Sequence, residues 1–261
     1  MEKEEQLLEK RLIELSRTAY HRDIITYSDF LNLNELNILH SLPKDRLYTR
    51  YVTFGGYDTA ERQMAAFLPD ALYLRGSNDT VDMEALGFPI SVLCIEPLHE
   101  KYAEELTHRD YLGAVLNLGI ELSRLGDILI EGNKAILFVE TGLSVYLQEQ
   151  LTRVRRTSVM LREESVQDFQ YTPRFEEIKG TVASVRLDSL LSLAFSSSRT
   201  RLSGLIEGGK VFVNGKLMTT NGFHVKEDDI ISVRGMGKFQ YKGILSRTKK
   251  NRIFVIIHKY I

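Results

Sequence analysis

The 261-residue chain is 43% apolar and 26% charged, enough to bury the cores of one large domain or two to three small ones. That composition excludes a wholly disordered chain, and 18 Gly with 5 Pro exclude a collagen-like one. One cysteine, Cys94, leaves no internal disulfide, and the six histidines contain no i,i+4 pair and no Cys-x-x-Cys partner, so no metal site is expected. The opening Met1-Glu-Lys-Glu-Glu-Gln lacks the order of a signal peptide, and Ile253-Phe-Val-Ile-Ile257 is too short to span a bilayer. The expectation is a soluble, reduced, cytoplasmic protein without membrane contact.

Taken in chain order, residues 4–20 read as a helix with an apolar stripe at Leu7, Leu8, Leu12, Leu15 and Ala19. A second helix is expected from Ser28 to Leu42, stopped by Pro43, and a strand from Arg46 to Phe54, ended by Gly55-Gly56. Asp58 reads as the cap of a helix through Phe67. The turn-rich stretch 75–89 marks a boundary. A strand at Ile90–Leu98, a helix after Thr107 to about Leu118, strands Asp127–Glu131 and Lys134–Glu140 around Gly132-Asn133, a helix over Thr141–Leu151 and a strand near Arg155–Arg162 follow. This is a β-α-β-β-α-β order, ferredoxin-like and RRM-like. Base stacking would need aromatics on an open sheet face, and Ile128-Leu-Ile130 offers none. The polar stretch 163–180 links to or edges the last part. The fold class is therefore α+β in three parts: a mixed domain over 1–80, a central domain over 81–180 and a basic domain over 181–261.

The formal net charge of −1 is unevenly spread. Residues 1–150 hold 14 Lys and Arg against 25 Asp and Glu, a balance of −11. Residues 180–261 hold 14 against 5, a balance of +9. A basic module on an acidic remainder points to a polyanion, most simply nucleic acid.

Within that module, Leu187, Leu190, Leu191 and Ala194 line one face of a short helix, and Ser196-Ser-Ser198 breaks it. A second helix spans Arg199–Glu207 and ends at Gly208-Gly209. Strand Lys210–Val213 leads into the hairpin signal Asn214-Gly215. After the turn Asn221-Gly222 comes strand Ile230–Arg234, then Gly235-Met-Gly237, and Phe239–Leu245 and Arg252–Tyr260 as a final hairpin. Arg199 and Arg201 break a local rule. Cations in the first turn of a helix face the positive end of its dipole, at a cost of about 0.3–1 kcal/mol each. No acid stands there to offset them, and with Ser198 and Thr200 the helix start reads as a phosphate cradle. The competing reading is that both side chains are solvated. Lys210, Lys216, Arg234 and Lys238 are weaker signals, each ordinary as a surface charge, and Arg247-Thr-Lys-Lys-Asn-Arg252 reads as a soluble hairpin turn.

The run from Arg186-Leu-Asp through Ser198-Arg-Thr, Gly208-Gly-Lys-Val-Phe-Val-Asn-Gly215 and Arg234-Gly-Met-Gly-Lys238 resembles the alpha-L RNA-binding motif, the S-four-type domain. That resemblance implies an RNA-facing set of Arg186, Ser198, Arg199, Thr200, Arg201, Lys210, Asn214 and Lys216, with Arg234 and Lys238 flanking the next turn. Such domains are often appended to enzymes. No dinucleotide or P-loop fingerprint is present, and His108-Arg-Asp110 lacks the Asn of a kinase loop, Val115 standing there. His108 reads as a helix-start residue. Arg124-Leu-Gly-Asp127 is superficially similar to a pseudouridine synthase loop, but its Asp enters an apolar strand.

The run Thr107-His-Arg-Asp-Tyr-Leu-Gly-Ala-Val-Leu-Asn-Leu-Gly119 with Gly126-Asp-Ile128 resembles the YlmH family, as do length and domain order. The resemblance implies a non-enzymatic, monomeric RNA-binding factor with no cofactor and no catalytic residue. Its implied partners are rRNA and tRNA on the large ribosomal subunit carrying stalled peptidyl-tRNA, together with quality-control proteins, and its implied role is to help C-terminal tailing of the stalled chain. The alternative is an rRNA-modifying enzyme that uses the basic domain for targeting. A third reading, a protein-interaction module at the division site, rests only on the acidic face.

Overall fold

The computed structural model describes residues 2–70, 86–166, 169, 171, 174–248 and 252–260, the side chains of Glu2 and Arg199 excepted. They fold as two compact units, residues 1–171 and 172–261.

The first unit opens with α1 (Glu2–Arg22). Leu12 and Ala19 are fully buried, with Leu8 and Leu15 packed beside them. Leu7, expected in the stripe, is 69% exposed. Ser16 lies on the buried face, and its Oγ accepts the backbone N–H groups of Tyr48 and Thr49. Next come β1 (Thr26–Tyr27) and α2 (Leu33–Ser41). The second helix is shorter than expected because Asn32 and Glu35 form a capping box that starts it at residue 33. Residues 28–31 instead pair with 63–65 in extended form. One helical turn at Lys44–Arg46 replaces the first part of the expected strand, and β2 is Arg50–Phe54.

The helix expected from Asp58 to Phe67 is absent. Residues Met64–Leu68 form β3, the centre of a sheet ordered β1-β3-β2. All five of its residues are buried. A short continuous apolar run has no period that separates a buried strand from a buried helix. Of the expected boundary segment 75–89, residues 75–85 lie outside the described residues.

The succession that follows holds: β4 (Ile90–Pro97), α3 (His108–Leu116), β5 (Leu125–Glu131), β6 (Lys134–Glu140), α4 (Ser144–Gln150), β7 (Arg153–Val154) and β8 (Thr157–Glu164). The sheet is antiparallel throughout, in the order β5-β6-β4-β8-β7. One face carries α3 and α4, with Tyr111, Val115 and Leu147 packed on Leu93, Leu137 and Val139. The other face is covered as well. Val92, Ile136 and Phe138 share a core with Phe30, Tyr57 and Met64, and the Tyr57 and Phe138 rings stack at 5.0 Å.

Asp127 ties these layers together. Its carboxylate accepts the Tyr57 hydroxyl at 2.7 Å and the backbone N–H groups of Glu61 and Arg62 at 2.7 and 3.1 Å. The half-buried Arg62 guanidinium donates in turn to the Leu125 and Leu122 carbonyls. Burial lowers the Arg62 pKa, against the pull of Glu35 and Asp127.

In the second unit, β9 (Phe175–Val182) precedes α5 (Leu187–Phe195) and α6 (Arg199–Glu207). Then come β10 (Val211–Val213), β11 (Lys216–Leu217), β12 (Ile230–Val233), β13 (Gly237–Arg247) and β14 (Ile253–Tyr260). The sheet order is β11-β10-β12-β13-β14-β9, again antiparallel. Both helices pack through Leu187, Leu190, Leu191, Leu202 and Ile206 against Val211, Val213, Val255 and Ile257. The boundary expected between 180 and 181 falls inside β9, which pairs with β14 along its whole length. Of the basic turn expected at 247–252, residues 249–251 lie outside the described residues.

Two outcomes follow. Asp127→Ala leaves three part-buried donors without an acceptor and lowers stability by about 2–4 kcal/mol in a urea melt followed by circular dichroism. Cys94 is buried on β4, and burial, with Glu96 and Glu164 adding, pushes its thiol pKa up to about 11 from 9.0. The native thiol is therefore slow towards Ellman's reagent at neutral pH and reacts on unfolding. Its folded value lies above the unfolded one, so its contribution to stability is complete below pH 9.0 and is lost as pH rises through about 11.

Candidate nucleic-acid interface of the second unit

The start of α6 is built as the sequence dictates. Ser196 ends α5 in the left-handed region at φ 47°. Ser198 caps α6, its Oγ accepting the Arg201 N–H at 3.4 Å. Thr200 and Arg201 are exposed in the first turn, and no Asp or Glu stands in it. Arg199 occupies the first helical position, and its side chain lies outside the described atoms.

Most acids of the unit are engaged elsewhere. Asp188 pairs with Arg186 at 3.2 Å. Asp229 accepts from Asn214 Nδ2 at 2.8 Å and from the Lys226 N–H at 2.7 Å. Asp228 pairs with Lys242, Glu207 accepts from Asn221, and Glu177 pairs with Lys179. Arg201, Lys210 and Lys216 thus stand without an acidic partner among the described residues.

At the other end of α6, Gly209 at φ 68° reverses the chain, and the Lys210 N–H returns to the Leu205 carbonyl. The hairpin between β10 and β11 is a two-residue turn with Asn214 at φ 48° and Gly215 at φ 77°, as the primed turn requires. Asn214 is held on both sides of its amide, since its Oδ1 accepts the Ile230 N–H at 2.9 Å. Its role in the structure is to lock the turn to β12.

Strand alternation then divides the expected set. Val211 and Val213 face the helices, and Lys216 lies opposite Val213, on the helix-bearing face. Lys210 is bonded across to Arg234, whose N–H donates to the Lys210 carbonyl, and both take the opposite face. There the Arg234 guanidinium lies 5.5 Å from the centre of the Phe212 ring, and Lys238 lies 5.4 Å from that of Tyr260. Ser198, Thr200, Arg201 and Lys216 therefore share the helix side, whereas Lys210, Arg234 and Lys238 lie on the far side of the sheet. Arg186 is tied to its own acid. Tyr260 and Phe212 went unremarked in the sequence, where only cations were sought, although each alternates onto a cation's face.

Elsewhere, Asp127 is held by its three donors, and His108 opens α3 behind the Thr107–Asp110 capping box. The central sheet's far face, covered by Tyr57 and its neighbours, offers no platform for bases.

Comparison with known proteins finds two family matches along the chain. Residues 85–168 match the family described as a putative RNA-binding domain in YlmH, and residues 185–231 match the S4 domain. The chain is thus an α+β protein in which a central RNA-binding-type domain precedes a C-terminal S4 domain, the alpha-L motif. The YlmH resemblance read from residues 107–128 is borne out by the first of these matches. Over 254 residues, 96% of this chain and 93% of its relative, it is 27% identical to "Ribosome-associated protein quality control protein P2" of Bacillus subtilis (strain 168). A solved structure, "Cell division protein ylmH from Streptococcus pneumoniae", aligns with 63% of this chain and 93% of its own, at 22% identity and a TM-score of 0.48. No helix among the described residues is long and apolar enough to cross a membrane.

The geometry separates structural from recognition residues. Asn214→Ala loses two hydrogen bonds and places alanine at positive φ, for a loss of about 2 kcal/mol, whereas Lys216→Ala stays within about 0.5 kcal/mol. Chemical denaturation of both variants checks the contrast.

Proposed function

We propose that the chain is a non-enzymatic cytoplasmic factor that binds folded RNA of the large ribosomal subunit, rRNA and tRNA together, through its S4 domain. It acts there in quality control of stalled peptidyl-tRNA and in C-terminal tailing of the stalled chain. The observation that carries this reading is the start of α6: a capped helix N-terminus with Thr200 and Arg201 exposed, no acid in its first turn and most of the unit's acids bonded elsewhere. A phosphate oxygen there meets oriented N–H groups and a guanidinium, and it relieves the clash between cation and dipole. The relative's name supports the ribosomal setting, since it speaks of ribosome-associated quality control. The carboxylate that a synthase-like mechanism would need, Asp127, is bonded to the fold.

Arg199→Ala with Arg201→Ala tests the reading. The double variant folds, with a melting temperature equal to or slightly above that of the parent, because two unfavourable dipole contacts of about 0.3–1 kcal/mol each are removed. Its affinity for purified large subunits falls, and the slope of log K against log salt shrinks by about 2. Unchanged binding by the folded double variant overturns the assignment.

A further inference from the structure

A second cationic surface lies in the first unit, and no sequence motif pointed to it. A cleft of about 570 Å³ opens between α3, the end of α4 and the β7–β8 turn. Its charged lining is Arg109, Arg153, Arg155 and Asp110, and Asn117 and Gln150 add neutral amides. We infer that this cleft binds the sugar-phosphate backbone of RNA, as a second contact beside the S4 domain. The inference rests on the RNA-binding reading above and adds to it the place where the central domain touches its ligand.

Four observations carry it. First, all three cations are arginine, whose planar fork matches phosphate oxygens in pairs, whereas lysine presents a single point charge. Second, all three are exposed and stand in a unit rich in acid, residues 1–171 carrying 28 Asp and Glu against 18 Lys and Arg. A positive cleft on such a surface is a local feature and not a by-product of overall charge. Third, the one acid in the lining is largely committed. Asp110 Oδ2 accepts the Thr107 N–H at 2.8 Å and the Thr107 hydroxyl at 2.7 Å. Its other oxygen meets Arg155 Nη1 at 3.5 Å, a long single contact to a solvent-exposed guanidinium that a phosphate can displace. Fourth, Arg155 holds φ 50° in the two-residue turn Arg155-Arg156, where Asn or Gly would sit without strain. A long cation is kept at a position its backbone disfavours.

The far face of this domain's sheet is closed by Phe30, Tyr57 and Met64. Bases cannot stack there, which leaves backbone contact on the helix side. The run Arg153-Val-Arg-Arg156 was the available sequence signal, hidden because it reads equally well as a strand end.

The test uses the full chain with large-subunit rRNA transcribed in vitro, by filter binding over a salt series. Arg109→Gln, Arg153→Gln and Arg155→Asn are combined, Asn being at ease at positive φ. Affinity is expected to fall at least tenfold at about 100 mM salt, and the salt slope to shrink by about 2–3. The matching triple lysine variant keeps most of the slope but loses affinity. Arg162→Gln, on β8 beside Glu96 and outside the cleft, binds as the parent does. Should the triple variant fail to melt cooperatively, Arg109→Gln and Arg155→Asn are measured singly, each with a slope smaller by about 1. Unchanged affinity and slope in the folded cleft variants, with loss in Arg199→Ala/Arg201→Ala, overturn the cleft and leave the S4 reading standing. Loss in the cleft variants alone supports the cleft and overturns the α6 assignment. A cleft variant that binds RNA normally but loses an acidic protein also overturns the proposal.

Discussion

The carboxylate of Asp127 is the interaction on which the first unit depends. Three donors converge on it from residues 57–62, a stretch with no regular structure of its own. Backbone N–H groups buried in such a loop must find acceptors, and one ionised side chain supplies them at charge-assisted strength. The loop then lays Tyr57 on Phe138, and Arg62 reaches back to the carbonyls that precede Asp127. The N-terminal sheet and the central sheet thereby share a core. An aspartate in an apolar strand, odd in isolation, is explained once its partners are seen.

Charge in this protein is organised by pairing as much as by number. In the second unit most acids are bonded to partners such as Arg186, Asn214, Asn221 and Lys242, so the excess of cations remains at α6 and around the β10–β11 and β12–β13 turns. In the first unit acids predominate, yet the α3–α4 side keeps three arginines with one committed aspartate. Net charge alone reported the first arrangement and concealed the second. Electrostatic recognition depends on which charges lack partners, and that is a property of the fold.

The second unit was the more legible in sequence because its signals are local. Ser198, Gly209 and Asn214-Gly215 each demand a particular backbone, and α6 and the β10–β11 hairpin begin and end where those residues stand. The central domain was legible for the same reason, through Thr107, Gly132-Asn133 and the apolar runs between them. The failures came where tertiary burial decides. Met64–Leu68 has no period and becomes the middle strand of its sheet. The stretch 175–182 reads as polar, because one side of β9 is wet, and it pairs with a strand near the other end of the unit. The site was read as one patch because cations carry no mark of sheet face; strand register, set by Val211, Val213 and Val233, divides it.

The pairing of β9 with β14 also bears on how the second unit reaches its native state. Its first strand meets its last, so the helices and hairpin between them are assembled from near neighbours, while closure of the sheet waits for the most distant pairing in the unit. That pairing carries the largest loop-closure entropy in the unit. Until β9 docks, β14 would present an open edge of backbone N–H and C=O groups, so residues 175–182 act as the cover of that edge.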